Sequence, residues 1–306
     1  AKQKGWDKQE GLDIVLNRFD SGKDLIGNAD KWVIGACGAF PILTSPYPEQ
    51  FTIIGVGNDE SLANAVMVRP DSPLLNTKGA NKGYPNLYGK AERRKGKTII
   101  CPALVIGQYL LTKWLAAYGL TTEDVRIQNT DAVPGLQAFF EGEGDARAVG
   151  PHSYTGDEHG LKVAATSRSV NAPQSVLLMA DKDFAAAHPS QVASFLRVYL
   201  RAVRMMREES VATLAEDYKT FFKEWAGKTM SDAEVIKDIT ITRSSCLRIS
   251  SGCQRRTFPE RHAGLARSII RFHAGDAYSQ DKTEELLGLV TGAFLEKVER
   301  PIPEYR

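Results

Sequence analysis

The residues with the clearest capacity for chemistry lie around one strand and the helix that follows it. Residues 98–101 are a short β-rich run, Pro102 ends it, and apolar residues then recur at helical spacing until Gly119. A helix start exposes amide N–H groups and the positive end of the helix dipole, so this loop is predicted to hold an anionic or carbonyl-bearing ligand. The candidate ligand-binding residues here are Ala103, Leu104, Val105, Gly107 and Tyr109.

Two polar side chains follow the next predicted strand, which covers residues 125–128. Asn129 can both donate a hydrogen bond to a ligand and accept one from it. Asp131 either accepts a hydrogen bond from a ligand amine or caps the helix that begins near Ala132, and capping is the favoured role. Tyr109 and Tyr154 are predicted either to form an aromatic wall with a polar tip or to belong to the core.

An acid–base or metal site could be assembled from Asp145, His152, Asp157 and His159. We favour a simpler interpretation, in which His152 lines a cleft while Asp157 and His159 are exposed turn residues. The sequence has no GxSxG turn, no phosphate-binding glycine motif and no HExxH. It therefore predicts a binding protein that is not an enzyme and has no cofactor and no metal.

The four cysteines do not have the spacing of metal ligands. Cys37 and Cys101 are predicted to be small buried or pocket-lining thiols. Cys246 and Cys253 lie seven residues apart in a segment rich in serine and arginine, and a disulfide between them is an open alternative in an oxidising compartment.

Length and composition predict two domains, since 306 residues with 42% hydrophobic residues supply a core for each. The formal net charge is +2, and residues 243–262 carry five arginines against Glu260. One short basic segment is weak support for nucleic-acid binding, so no nucleic-acid partner is predicted. The chain has no apolar run of about 18 residues and a polar beginning, which predicts a soluble chain with neither a membrane span nor a signal peptide.

Strand and helix signals alternate in the first half and predict an α/β fold with mainly parallel sheets covered on both faces. Residues 76–97, with seven Lys or Arg against Glu92, are predicted to be a solvated surface loop rather than a phosphate site. The second half is predicted to be helical. Further strands are predicted at 11–16, 31–35, 51–56 and 65–68, and amphipathic helices at 192–206, 211–225 and 286–298.

Six passages, in order, resemble the substrate-binding proteins of ABC importers, in the branch of sulfonate-, taurine-, nitrate- and thiamine-pyrimidine-binding proteins. The passages are AKQKGWDKQEGLDIVL, GACGAFP, NDESLANAVMVR, KGKTIICPALVIGQYLLTKWL, NTDAVPGLQAFFEGEGDA and KDFAAAHPSQVASFLRVYLRA. The resemblance implies a two-domain periplasmic-binding-protein type II fold, the "Venus flytrap", with domain I at 1–96 plus 186–306 and domain II at 97–185. It also implies that the ligand-binding residues include Cys37, Gly38, Ala39, Phe40, Ala103, Leu104, Val105, Gly107, Tyr109, Asn129, Asp131, Gly150, His152 and Tyr154.

The resemblance implies a small-molecule ligand held in an interdomain cleft, docking of the closed form on a membrane permease, and a periplasmic or membrane-anchored extracytoplasmic location. A monomer is expected. Since residues 103–106 lack hydroxyl groups, the ligand is predicted to be a small organic anion with an apolar part, such as a sulfonate or carboxylate.

Two other classes share this fold. A pyrimidine-precursor synthase would need a cysteine-rich active-site motif and a lysine that holds pyridoxal phosphate. The effector domain of a transcription regulator would need an N-terminal helix-turn-helix, for which the sequence has no room.

Overall fold

The computed structural model describes residues 1–19, 21–43, 45, 47–79, 81–102, 106–149, 160–172 and 174–252. The strands are β1 (Ile34–Gly38), β2 (Phe51–Asp59), β3 (Ala65–Val68), β4 (Thr98–Ile100), β5 (Arg126–Gln128), β6 (Ala146–Val149), β7 (Lys162–Thr166) and β8 (Ser175–Asp181). The helices are α1 (Trp6–Gln9), α2 (Gly22–Gly27), α3 (Ala39–Leu43), α4 (Ile106–Ala116), α5 (Ala132–Phe140), α6 (Lys182–Ala187), α7 (Pro189–Glu208), α8 (Val211–Ala226) and α9 (Asp232–Gly252).

The chain forms two compact units. Unit 1 contains Ala1–Asp59 and the chain from Ser175 onward, and unit 2 is Glu60–Gln174. These boundaries differ from the predicted ones at 96 and 185. The physical reason is strand pairing, since β3 forms hydrogen bonds with β6 and β7 and so brings the chain from Glu60 onward into unit 2.

Unit 1 contains a three-stranded antiparallel sheet in the order β1-β8-β2. Ile54 of β2, Leu178 of β8 and Leu196 of α7 pack together in its buried core. The prediction of mainly parallel sheets is therefore wrong for this sheet, because β8 returns between β1 and β2 and runs against both.

The predicted strand at residues 11–16 is absent, since those residues have no strand pairing in the described part of the chain. Val15 is 75% exposed and Leu16 is 45% exposed, so the segment buries little of its apolar surface. A β-rich pattern becomes a strand only where a neighbouring strand pairs with it. The strand predicted at 31–35 is shifted in the structure to β1.

The two amphipathic helices predicted in the second half are confirmed as α7 and α8. The hydroxyl of Ser210 accepts a hydrogen bond from the Thr213 amide at 3.0 Å and caps the start of α8. Gly227 ends α8 in the left-handed conformation. The helix predicted at 286–298 lies outside the described residues.

The left-handed φ of Gly227 is 64°, a value that glycine adopts without the strain that a Cβ would bring.

The arginine-rich segment is described only as far as Gly252, where α9 ends. The pairing of Cys246 with Cys253 stays a prediction, because Cys253 lies outside the described residues.

Unit 2 contains a five-stranded mixed sheet in the order β5-β4-β6-β3-β7. β4 runs parallel to β5 and β6, whereas β3 runs antiparallel to β6 and β7. The strand predicted at residues 65–68 is confirmed as β3, and all four of its residues are buried. Met67, Ile100 and Phe139 form one buried cluster between the sheet and α5.

No described helix has both the length and the apolar composition that a bilayer span requires.

Candidate functional site

The predicted ligand loop connects β4 to α4 in unit 2. β4 ends at Ile100, the side chain of Cys101 is buried, and α4 begins at Ile106. Gly107 lies in the first turn of α4, against β6: a Cβ built on it would be 3.4 Å from the Ala148 carbonyl oxygen and 3.6 Å from Cys101 Sγ. The helix start is thus held against the end of the sheet. Ala103, Leu104 and Val105 lie outside the described residues, so their contact with a ligand stays a prediction.

Tyr109 is only 1% exposed, and Lys113 Nζ lies 5.5 Å from the centroid of its ring. The ring is therefore part of the core of unit 2, which is one of the two alternatives that the sequence left open. Its predicted contact with a ligand stays a prediction. Tyr154, the other candidate for an aromatic wall, lies outside the described residues, as do Gly150 and His152.

Asn129 and Asp131 are both exposed and follow β5 directly. Asp131 occupies the N-cap position of α5, and its carbonyl oxygen accepts a hydrogen bond from the Gly135 amide at 2.8 Å. Its carboxylate makes no capping hydrogen bond. The predicted position of Asp131 is therefore correct, but the side chain does not cap the helix in the way that the sequence favoured.

Arg147 is a buried cation in the middle of β6. It is 2% exposed, and it pairs in register with Ile100 of β4 and Met67 of β3. Directly paired residues share one face of a sheet, so Arg147 lies on the face that α5 covers. Burial lowers the pKa of Arg147 to about 10, which leaves the guanidinium charged at neutral pH.

Cys101 is close enough to Arg147 for the two to interact electrostatically. Burial raises the pKa of the Cys101 thiol to about 12, and the positive charge of Arg147 only partly opposes this increase. The thiol is therefore protonated at neutral pH and is a poor nucleophile. This agrees with the predicted role of Cys101 as a buried thiol.

These groups meet at one edge of the unit 2 sheet. β4, β5 and β6 are parallel, so their carboxyl ends share an edge, and ligands of open α/β sheets bind beyond that edge. Gly107, Asn129 and Asp131 follow β4 and β5 there, and Arg147 lies within β6. Arg147 is not among the site residues predicted from the sequence. The signal was present, since one charged residue interrupts a strand of small apolar residues.

The predicted residues of unit 1 lie where β1 leads directly into α3. Cys37 and Gly38 end β1 and pair with Leu177 and Val176 of β8. Ala39 begins α3 and is 2% exposed, and Phe40 follows it in the helix. The side chain of Cys37 is partly exposed. Contact of these four residues with a ligand stays a prediction.

Asp145 has a structural role at the opposite edge of the unit 2 sheet, before β6 begins. Its carboxylate accepts hydrogen bonds from Lys97 Nζ at 2.7 Å and from the Thr98 amide at 2.9 Å. Burial opposes ionisation, but these two hydrogen bonds, together with the positive charges of Lys97 and Arg69, outweigh it and hold the pKa of Asp145 below its usual value. Asp145 is therefore held by an ion pair with Lys97. His152, Asp157 and His159 lie outside the described residues, so the interpretation of these three residues stays a prediction. Within the described ranges, no three His, Cys, Asp or Glu side chains are grouped to hold a metal ion.

Residues 92–212 match the family model described as NMT1/THI5 like. The chain is 24% identical over 288 residues to a Brachyspira hyodysenteriae protein named as an ABC transporter periplasmic binding protein, covering 92% of this chain and 82% of that one. It is 26% identical over 250 residues to a Bacillus subtilis protein named as an aliphatic sulfonates-binding protein, covering 78% of this chain and 71% of that one.

The structure is similar to the crystal structure of the periplasmic aliphatic sulphonate binding protein SsuA from Escherichia coli. The TM-score is 0.65 and the sequence identity 16%, over 79% of this chain and 73% of that chain. At this identity the similarity concerns the fold. The predicted α/β periplasmic-binding-protein fold is confirmed.

Proposed function

We propose that this protein, whose residues 92–212 match the NMT1/THI5-like family model and whose fold is that of periplasmic binding proteins, is the solute-binding component of an ABC importer and captures a small organic anion with an apolar part. Relatives named as ABC transporter and aliphatic sulfonate-binding proteins support the class of function. In the proposed mechanism the ligand is taken up in an interdomain cleft and favours a closed state. The proposed partner is a membrane permease, and the proposed location is extracytoplasmic.

The main support for an anionic ligand is the buried guanidinium of Arg147. A buried arginine keeps its charge, and its planar fork matches the oxygens of a sulfonate or carboxylate. It lies on the strand whose carboxyl end joins those of β4 and β5, where ligands of such sheets bind. The cation therefore supplies a positive field beside the predicted ligand loops.

The apolar part of the ligand follows from the residue types of the predicted loop, where positions 103–106 are all apolar. Burying roughly 100 Å² of apolar ligand surface contributes about 2.5 kcal/mol, which is close to a hundredfold in affinity. A long alkanesulfonate is expected to bind more tightly than taurine, and taurine more tightly than an inorganic anion.

A thermal-shift panel tests this proposal with nitrate, sulfate, taurine, longer alkanesulfonates and benzoate-type acids. Because stabilisation by a ligand increases with its affinity, the increase in Tm should follow the apolar surface of the ligand. If nitrate or sulfate stabilises the protein most, the proposed ligand class is wrong. If no anion in the panel shifts Tm, both the ligand class and the role of Arg147 are wrong.

An absorbance scan for a Schiff base tests the alternative of a pyrimidine-precursor synthase that holds pyridoxal phosphate.

A further inference from the structure

The segment between β3 and β4, for which the sequence predicts a solvated surface loop, is a folded basic loop in the structure. We call residues 76–97 the basic loop. The Gly79 amide donates to the Leu87 carbonyl at 2.9 Å, and the Gly89 amide donates to the Thr77 carbonyl at 3.0 Å. Leu87 is fully buried. These contacts close the loop on itself, so its surface side chains project from a fixed backbone.

The loop is built on the buried side chain of Arg94. Its Nη1 donates to the Lys90 carbonyl at 2.9 Å, its Nη2 donates to the Tyr88 carbonyl, and its guanidinium packs between the rings of Trp114 and Tyr118. Of the seven cations in the loop, Arg94 is therefore structural.

Beside this anchor the basic loop and the end of α4 form an open depression with a volume of about 430 Å³. Lys82 and Lys90 are exposed on its wall together with Glu92, which leaves the lining with one net positive charge. Ala117 and Tyr118 contribute apolar surface. Asn81 also lines the depression and donates from Nδ2 to the Ala117 carbonyl, which fixes the loop to the helix.

The two lysines of the depression differ from the cations at the end of the basic loop. Lys95 lies 3.8 Å from an Asp124 carboxylate oxygen, and Lys97 pairs with Asp145 at 2.7 Å. Lys82 and Lys90 have no such carboxylate neighbour among the residues that the structure describes. Two exposed ammonium groups on a fixed backbone, beside apolar surface, attract an anionic and partly apolar partner.

We propose that this depression is a docking surface for an acidic segment of a partner protein. A depression that combines two exposed lysines with the apolar surface of Ala117 and Tyr118 fits an acidic peptide with apolar side chains, whereas a flat lipid surface would engage cations on a convex face. The basic loop enters β4 at its amino end, so the depression lies at the edge of the unit 2 sheet opposite the candidate ligand site. A docked segment therefore leaves the ligand edge of unit 2 accessible. This proposal does not depend on the proposed function.

The test is fluorescence anisotropy with a labelled twelve-residue peptide in which glutamate alternates with alanine and leucine, at low ionic strength. The double variant K82E/K90E is expected to weaken binding about tenfold or more, because both attractions become repulsions. The matched control is K162E/K182E, which makes the same change in net charge at two exposed lysines elsewhere and should alter the affinity less than about twofold. The variant Glu92→Gln should strengthen binding, since it removes the acidic group of the lining.

Equal losses in the two double variants would show a diffuse charge effect and overturn the proposal. The proposal would also be overturned if the unmodified protein did not bind the peptide. Vesicles of phosphatidylserine and phosphatidylcholine, and inorganic phosphate, are tested with the same variants. If the vesicles or the inorganic phosphate displace all of the peptide at a concentration of negative charge lower than that of the peptide, the surface is a lipid or phosphate site and the proposal fails. Unchanged Tm values show that the variants are folded.

Discussion

The guanidinium of Arg94 stacks on the ring of Tyr118, with its Cζ 3.5 Å from the ring centroid. The hydroxyl of Tyr118 donates to the Tyr88 carbonyl at 2.7 Å, so both side chains hold the same turn of the basic loop. Burial lowers the pKa of Arg94 to about 10, and burial raises the pKa of Tyr118 while Arg94 opposes that increase. At neutral pH the pair is therefore a charged guanidinium against a neutral phenol, which is the favourable cation–π combination.

Replacing Arg94 by methionine should destabilise unit 2 by about 2–4 kcal/mol, because it removes the buried guanidinium that donates to the carbonyls of Lys90 and Tyr88 and that packs between two rings. Urea unfolding measures the loss. The neighbouring variant Arg93→Met is the control, since Arg93 is exposed and should change stability by less than about 0.5 kcal/mol. Equal small effects in both variants would contradict an anchoring role for Arg94.

The ion pair of Asp145 with Lys97 should make stability depend on pH. The folded pKa of Asp145 is below its unfolded value, so its contribution is present above the unfolded pKa of about 3.9 and is lost as pH falls through the folded pKa. Both side chains are about one-third exposed, and solvent screening limits the expected effect of Asp145→Asn to about 1 kcal/mol at pH 7.

Urea unfolding of the wild type and Asp145→Asn at pH 7 and near pH 2 checks this prediction. The two proteins should differ at pH 7 and converge at the acidic value. Asp71→Asn, at an exposed position, is the control. A difference that persists undiminished at low pH would show that the ionised carboxylate is not its source.

We expect Arg147 to be needed for binding the anionic group of the ligand rather than its apolar part. Arg147→Met is expected to weaken binding of an alkanesulfonate at least tenfold, because it removes a charge-assisted interaction, while Arg147→Lys should retain part of the affinity. Titration calorimetry with the best sulfonate of the panel measures both. If Tm without ligand decreases equally in the two variants but both bind the sulfonate with the affinity of the wild type, Arg147 is only a core residue.

Gly107 gives a graded test of the start of α4. A Cβ at this position makes ordinary contacts with Ala148 and Cys101, so Gly107→Ala should be tolerated and gains up to about 1 kcal/mol of helix propensity. Gly107→Trp should instead destabilise the protein by about 1–3 kcal/mol, because the larger ring meets β6. Thermal unfolding without ligand separates this loss from any effect on binding. A stable Gly107→Trp variant would contradict the packing of Gly107 against β6.

Ligand-induced closure remains the prediction that distinguishes a transport-type binding protein from a rigid one. Solution scattering with a saturating alkanesulfonate should give a smaller radius of gyration than scattering without ligand, because ligand contacts favour the closed state. The same measurement with sodium chloride at equal ionic strength is the control. An unchanged radius with saturating ligand would count against the flytrap mechanism.

Local sequence was sufficient wherever the signal for an element is itself local. The apolar run of β3, the apolar spacing of α7 and the capping residues Ser210 and Gly227 of α8 each act within a few residues of the chain. The order of strand, loop and helix around Gly107 was predictable for the same reason, and so was the position of Asp131 at the start of α5. These local features are sufficient to predict the candidate ligand edge from the sequence.

Tertiary structure decided which strands pair and which charges are buried. Residues 11–16 have strand propensity but no strand pairing in the described structure, and β3 belongs to unit 2 only because it pairs with β6 and β7. Arg94 and Arg147 each look like an ordinary charged residue in sequence, yet one anchors the basic loop and the other lies beneath α5. Pairing and burial depend on residues distant along the chain, and local propensity carries no information about those partners.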